Sequence, residues 1–175
     1  MTEREGCWFT EPAIWLLEHF LTEGKKASGL RTCKAFEFGM GSSTVYLTRH
    51  CLSLISVEHN KDWYDKTCKI ISDYQYDNFH GYYEPMPYNK IIEMYKDAVF
   101  DLIIVDGRNR VKCIASSIPK LKPGGWLILD NSEREYYKPG IDLMADWNRI
   151  DCRQNHPDKY GFTYPSWTTT IFIKP

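Results

Sequence analysis

Two uninterrupted apolar runs, residues 102–105 in "FDLIIVDG" and 126–129 in "GGWLILDN", constrain this chain more than any other feature. A strand with one face in water alternates polar and apolar residues. A strand apolar on both sides is buried on both sides, which requires a parallel sheet with helices laid over each face. Segments of helical character fill the gaps between such runs, so the chain is expected to fold as an α/β sheet with right-handed crossovers.

Reading from the amino end, "FTEPAIWLLEHFLTEG" places Thr10 as a helix cap, Pro12 in the first turn, Ile14, Leu17 and Leu21 on one stripe and Gly24 as a stop. The runs "CKAFEF" and "LSLISVEH" read as strands around a short helix over 43–49. Asn60 is expected to cap a helix carrying Trp63, Thr67, Ile70 and Tyr74. A third strand is expected near 79–83, a helix in "YNKIIEMYKD" and another over 110–118. No helical pattern separates "DWNRIDCRQN" from "SWTTTIFIKP", so these two runs are expected to pair antiparallel at one edge. One domain accounts for the 175 residues, with 1–30 as an opening helix and linker and 31–175 as a Rossmann-like core.

Charge narrows the choice of partner. Lys and Arg number 22 against 23 Asp and Glu, which gives no electrostatic footprint for nucleic acid or an anionic membrane. The six cysteines form no CxxC pair, and no apolar run approaches a membrane span or a signal peptide. A cytoplasmic protein with reduced thiols, no membrane contact and no nucleic-acid partner is the expectation.

The turn "FEFGMGSS" follows the first strand, where open α/β sheets bind ligands. Gly39 and Gly41 allow positive φ and close approach by a ligand. Ser42 and Ser43 open a helix whose free N–H groups suit an anionic group. A dinucleotide fingerprint would need glycine where Thr44 stands, and no Gly-Lys-Ser/Thr follows as a Walker loop requires. Glu37 ends the first strand and Glu58 the second, where a carboxylate can accept from both hydroxyls of a ribose. The bland alternative is a plain glycine-rich connection.

The succession of strand, "EFGMGSS", helix, strand and "VEH", with "FDLIIVDG", "LKPGGWLILDN" and "TTTIFIKP" after it, resembles the class I S-adenosylmethionine-dependent methyltransferases. The likeness runs from about Trp8 to the end. It implies a seven-stranded, mostly parallel sheet with an antiparallel last strand and helices on both faces. It also implies that Glu37, Gly39, Met40, Gly41, Ser42 and Ser43 hold the methionine part of the cofactor, that Glu58 holds the ribose and that His59 lies beside the adenine. Asp106 completes the cofactor set. No residue of "FHGYYEPMP" matches the family's adenine contact.

Asp106 ends one buried strand, and Asp130 with Asn131 ends the next. Three oxygen ligands at one rim suit a hard cation such as Mg²⁺. The set is similar to that of the cation-dependent small-molecule O-methyltransferases, which implies a metal at Asp106, Asp130 and Asn131, with Asp106 and Asp130 catalytic. Asn109 stands where that group often has a lysine base. The acids are equally compatible with loop capping and no metal. Arg108, Arg110 and Arg134 are candidates for gripping a carboxylate or phosphate on the acceptor, and Tyr136 and Tyr137 for walling its pocket.

The expected reaction is methyl transfer to an oxygen, less readily a nitrogen, of a small anionic acceptor. The "DGRN" after the fourth strand departs from the Pro-Pro turn of base-amino methyltransferases. An aminopropyl transferase, or a non-catalytic nucleoside-binding module completed by a partner or a second copy, remain the rivals.

Overall fold

The computed structural model describes residues 7–28, 30–155 and 166–175. Seven strands, β1 (Lys34–Phe38), β2 (Ser53–Glu58), β3 (Phe79–Tyr83), β4 (Phe100–Val105), β5 (Leu121–Leu129), β6 (Asn148–Asn155) and β7 (Ser166–Ile173), form one sheet in the order β3-β2-β1-β4-β5-β7-β6. Every pairing from β3 to β5 is parallel, and β7 runs antiparallel to both of its neighbours. The expected closing pair is therefore present at the edge. The strand order reverses between β1 and β4, which opens a crevice beyond their carboxyl ends.

The helices are α1 (Glu11–Ser28), α2 (Ser42–His50), α3 (Lys61–Asp73), α4 (Arg110–Ser117) and the short α5 (Lys138–Ile141). Leu17 and Leu21 of α1, Leu47 of α2 and alternate residues of the strands, such as Ala35, Leu54 and Leu102, pack on one face of the sheet. Phe36, Phe38, Ile103 and Val105 pack on the other face with Ile114 of α4 and Tyr88. The side-chain period of two along a strand sends neighbours to opposite cores. That is why 102–105 needed no polar residue.

Two local expectations differ from what forms. α1 continues past Gly24 to Ser28, since one glycine costs a helix only about 1 kcal/mol and lysines and alanine follow. The helix expected in "YNKIIEMYKD" is shorter, a tight 3₁₀ helix over Tyr88–Met94. It has no side-chain cap and is extended again at Tyr95, so the burial of Tyr88 and Ile92 fixes it more than its own hydrogen bonds do. Asn60 caps α3 as expected, its side chain accepting from the Trp63 N–H at 3.0 Å. No helix among the described residues is long and apolar enough to cross a membrane.

Candidate functional site

Beyond the ends of β1, β2 and β4 lies an open cleft of about 600 Å³. The turn between β1 and α2 forms its floor. Gly39 there adopts φ +92°, and a Cβ on it would stand 2.7 Å from the Cα and N of Gly107, so the turns after β1 and β4 touch backbone to backbone. Tyr88 holds the second turn in place. Its hydroxyl accepts from the Arg108 N–H at 2.6 Å and donates to the Arg108 carbonyl at 2.9 Å. Tyr88 gave no signal in the sequence, because its partners lie 20 residues away.

Glu37 and Glu58 lie on the same face of the sheet. Glu37 is in register with Ser56, whose hydroxyl donates to Glu37 Oε2 at 2.8 Å, and Glu58 is two residues further along the same strand. Their surroundings differ. α2 covers Glu37, which accepts from Ser43 Oγ at 2.5 Å and Thr44 Oγ1 at 2.6 Å and is completely buried. It does not line the cleft, so the expected direct contact with a ligand gives way to a supporting position. Thr44 Oγ1 in turn accepts the Gly41 N–H at 2.8 Å, linking the carboxylate to the turn. Burial, opposed by the three hydroxyls, pushes the Glu37 carboxyl up to about 7.

Glu58 extends one residue past the last residue of β1 in register and does line the cleft. It accepts from the N–H groups of Met40, His59 and Asn60 at 2.9, 2.9 and 2.8 Å. Three fixed donors orient a carboxylate whose remaining lone pairs can take further hydroxyl donors. His59 also lines the cleft. Its Nδ1 is 2.8 Å from Glu58 Oε1 but makes no hydrogen bond with it.

Met40, Gly41, Ser42 and Ser43 all border the cleft. Gly41 has an extended φ of 178°, and a Cβ there would meet only Trp63 Nε1, at 3.6 Å. The fold thus tolerates a side chain at 41, and the space it would fill belongs to the cleft. Gly41→Ala is expected to change stability by less than about 1 kcal/mol while weakening S-adenosylhomocysteine binding at least tenfold, roughly 1.4 kcal/mol. Urea melts and calorimetry on one preparation test this. Equal affinity in both proteins would mean that ligands do not approach the turn at 41.

On the opposite wall, Asp106 keeps 28% of its side-chain surface open although it lies deep in the protein. Burial pushes its carboxyl up to about 6 against the pull of Arg110. Asp130 is turned away from the cleft. It is 5% exposed and accepts from Thr169 Oγ1 at 2.6 Å, and burial with the nearby Asp106 charge pushes it up to about 7. Thr169 Oγ1 also accepts the Thr10 N–H at 3.1 Å, so Asp130 anchors the start of α1. Asn131 adopts a left-handed turn conformation and does not border the cleft.

The expected metal set is divided, with Asp106 bordering the cleft and Asp130 and Asn131 off it. Arg110 lies between its members, donating to the Asp106 carboxylate and to the Asp130 carbonyl. Among the described residues no group of three or more His, Cys, Asp or Glu is placed to hold a metal ion. Asp130, expected to be catalytic, does not border the cleft, and its carboxylate accepts from Thr169. Of the three arginines, Arg110 is built into the scaffold, whereas Arg108 is exposed and Arg134 half-buried at the cleft wall. Arg134 donates to Tyr136 Oη at 3.1 Å, and its Nε is without a hydrogen-bond partner. Tyr137 walls the cleft, as do Trp8 and Trp63, which no motif had marked.

No family model matches the chain, and no curated protein matches it in sequence. Solved structures do match. A Klebsiella pneumoniae protein assigned as an O-methyltransferase superposes with TM-score 0.68 at 16% identity, over 89% of this chain and 79% of that one. An rRNA methylase from Streptococcus thermophilus gives 0.65 at 12%, over 93% and 96%. A Streptococcus mutans protein assigned as a methyltransferase, solved in complex with S-adenosylhomocysteine, gives 0.61 at 14%, over 91% and 97%. At such identities the likeness is one of fold. The seven-stranded sheet is that of the class I S-adenosylmethionine-dependent methyltransferases.

Proposed function

We propose that this chain is an S-adenosylmethionine-dependent methyltransferase acting on an oxygen of a small, anionic acceptor. The observation that carries this reading is the shared cleft. The bare Gly39–Gly41 turn and the oriented Glu58 carboxylate form one side, and Asp106, Arg108 and Arg134 border the other. The cofactor supplies, when bound, a methyl group on a cationic sulfur. Residues 39–43, Glu58 and His59 would hold it, with the open N–H groups at the start of α2 suited to its carboxylate.

The protein's part in catalysis is alignment and charge. Proximity and orientation alone can supply roughly 7 to 11 kcal/mol of a displacement barrier. Asp106, largely ionised at pH 7.5 and open to the cleft, is the group suited to accept the acceptor's proton. Arg108 and Arg134 offer forked donors for a carboxylate or phosphate on the acceptor. Arg108 and Arg134 at the cleft wall and a net charge of −1 suit a compact anion better than a nucleic-acid backbone.

Calorimetry with S-adenosylhomocysteine, followed by radiolabelled methyl transfer over a panel of hydroxy acids, phenols and RNA, tests the proposal. Glu58→Ala is expected to weaken cofactor binding by about 1.5 to 3 kcal/mol for each charge-assisted bond lost. An unaltered dissociation constant would refute the ribose role. Binding without turnover of any acceptor would favour the module reading, and transfer to RNA alone would overturn the acceptor class.

A further inference from the structure

Four oxygens converge on the side chain of Arg110. Its Nε donates to the Gly107 carbonyl at 2.8 Å, its Nη2 to the Asp106 carbonyl at 2.7 Å and to Asp106 Oδ1 at 3.0 Å, and its Nη1 to the Asp130 carbonyl. The guanidinium lies 5.1 Å from the centre of the Tyr137 ring, and the side chain is 7% exposed. Carbonyl and carboxylate oxygens arranged around one positive charge are what a hard cation demands of its ligands. Here a side chain meets that demand.

The sequence reaches this arrangement through a sharp turn. Asn109 takes a left-handed conformation at φ 55° immediately before α4, which lets Arg110, the first residue of that helix, fold back over the end of β4. Arginine stays protonated at any working pH, so the charge is permanent. A divalent ion in the same space would face a buried like charge at short range.

We propose that Arg110 is the resident cation of this cleft, filling with a fixed side chain the place that a divalent ion would take between the ends of β4 and β5. It holds Asp106 in position and joins the two strand ends. Four of its five N–H donors are engaged. The fifth, on Nη1, is the donor left for an acceptor oxygen at the cleft wall. Only that last role rests on the proposed methyl transfer.

The test uses the full chain and MnCl₂ as probe. Calorimetry is expected to give no one-to-one Mn²⁺ binding tighter than about 1 mM, and the S-adenosylhomocysteine dissociation constant should agree within about twofold in EDTA and in MgCl₂. One-to-one Mn²⁺ binding that Asp106→Asn abolishes would overturn the proposal. In the second arm, Arg110→Ala should recover its melting temperature in methylguanidinium chloride but not in equal NaCl, and should acquire the Mn²⁺ binding that the parent lacks. A folded Arg110→Ala protein that responds to neither cation would also overturn it. If the variant does not fold, the Mn²⁺ result on the parent decides. Failure of the parent to bind S-adenosylhomocysteine would count against the methyltransferase reading alone, because neither Mn²⁺ arm depends on that ligand.

Discussion

Gly39→Ala is expected to destabilise the protein by roughly 2 to 6 kcal/mol and to abolish measurable cofactor binding. Two penalties of about 1 to 3 kcal/mol each combine here. The backbone at 39 has φ +92°, a conformation that side chains resist, and the new methyl would lie 2.7 Å from the Cα and N of Gly107. Gly107 has nowhere to go. Its carbonyl accepts from Arg110 Nε, and the next N–H is bonded to Tyr88, whose hydroxyl would stand 2.1 Å from a Cβ at 107. Whole-domain stabilities are only about 5 to 15 kcal/mol, so this one methyl removes a large share. Urea denaturation measures the loss. A change under about 1 kcal/mol would mean that the two turns do not touch.

The second large effect concerns Glu37 and is read through pH. Its carboxyl lies at about 7 in the folded chain against 4.5 for the free side chain. Between those values the folded state holds a proton that the unfolded state has released. Stability from this group is therefore complete below pH 4.5 and is lost as pH rises through 7, by roughly 3 kcal/mol. Glu37→Gln removes the titration and keeps the size, and an amide can bond to the same three hydroxyls. The stability of the parent relative to Glu37→Gln should accordingly fall by about that amount between pH 4.5 and pH 8. Asp106 and Asp130 titrate in both proteins, so most of their contribution drops out of the difference; the part of the Asp106 shift that the Glu37 charge causes is included in what the difference reads. A difference independent of pH would show that Glu37 keeps one protonation state throughout.

Glu37→Ala asks a different question. It strands the hydroxyls of Ser43, Thr44 and Ser56 in the interior, at about 1 to 3 kcal/mol for each that stays unpaired. It also frees the Thr44 hydroxyl that now presents its lone pair to the Gly41 N–H. Cofactor affinity should fall with stability, although residue 37 does not line the cleft. Thus the acid before the glycine turn supports the turn from beneath.

Much of the architecture was legible because its causes are local or periodic. The doubly buried runs at 102–105 and 126–129 required helices on both faces, the Asn60 cap works within its own turn, and the antiparallel closing strands followed from the lack of a helix between them. The glycine turn and Glu58 were named from the place that a strand end occupies in such a sheet, and His59 and Asp106 as cofactor residues from the family resemblance; all of them border the cleft. The helix stop at Gly24 was misread because favourable neighbours outweigh one glycine, while the helix expected in "YNKIIEMYKD" forms as a 3₁₀ helix in which Tyr88 and Ile92 are buried.

What stayed hidden depends on contacts between residues far apart in the chain. Strand periodicity together with the β1–β2 register put Glu37 and Glu58 on one face of the sheet. Only the position of α2 decided that the first would be sealed under hydroxyls and the second left at the cleft. Asp106, Asp130 and Asn131 were legible as oxygen-bearing residues at neighbouring strand ends. Their division was decided by Arg110 reaching across 20 residues to the Asp130 carbonyl and by Thr169 bonding Asp130 from 39 residues away. A sequence determines which side chains arrive at the rim of a sheet, since that follows from period and crossover hand. Which way each carboxylate turns depends on the donor that reaches it first, and only the packed tertiary structure fixes that.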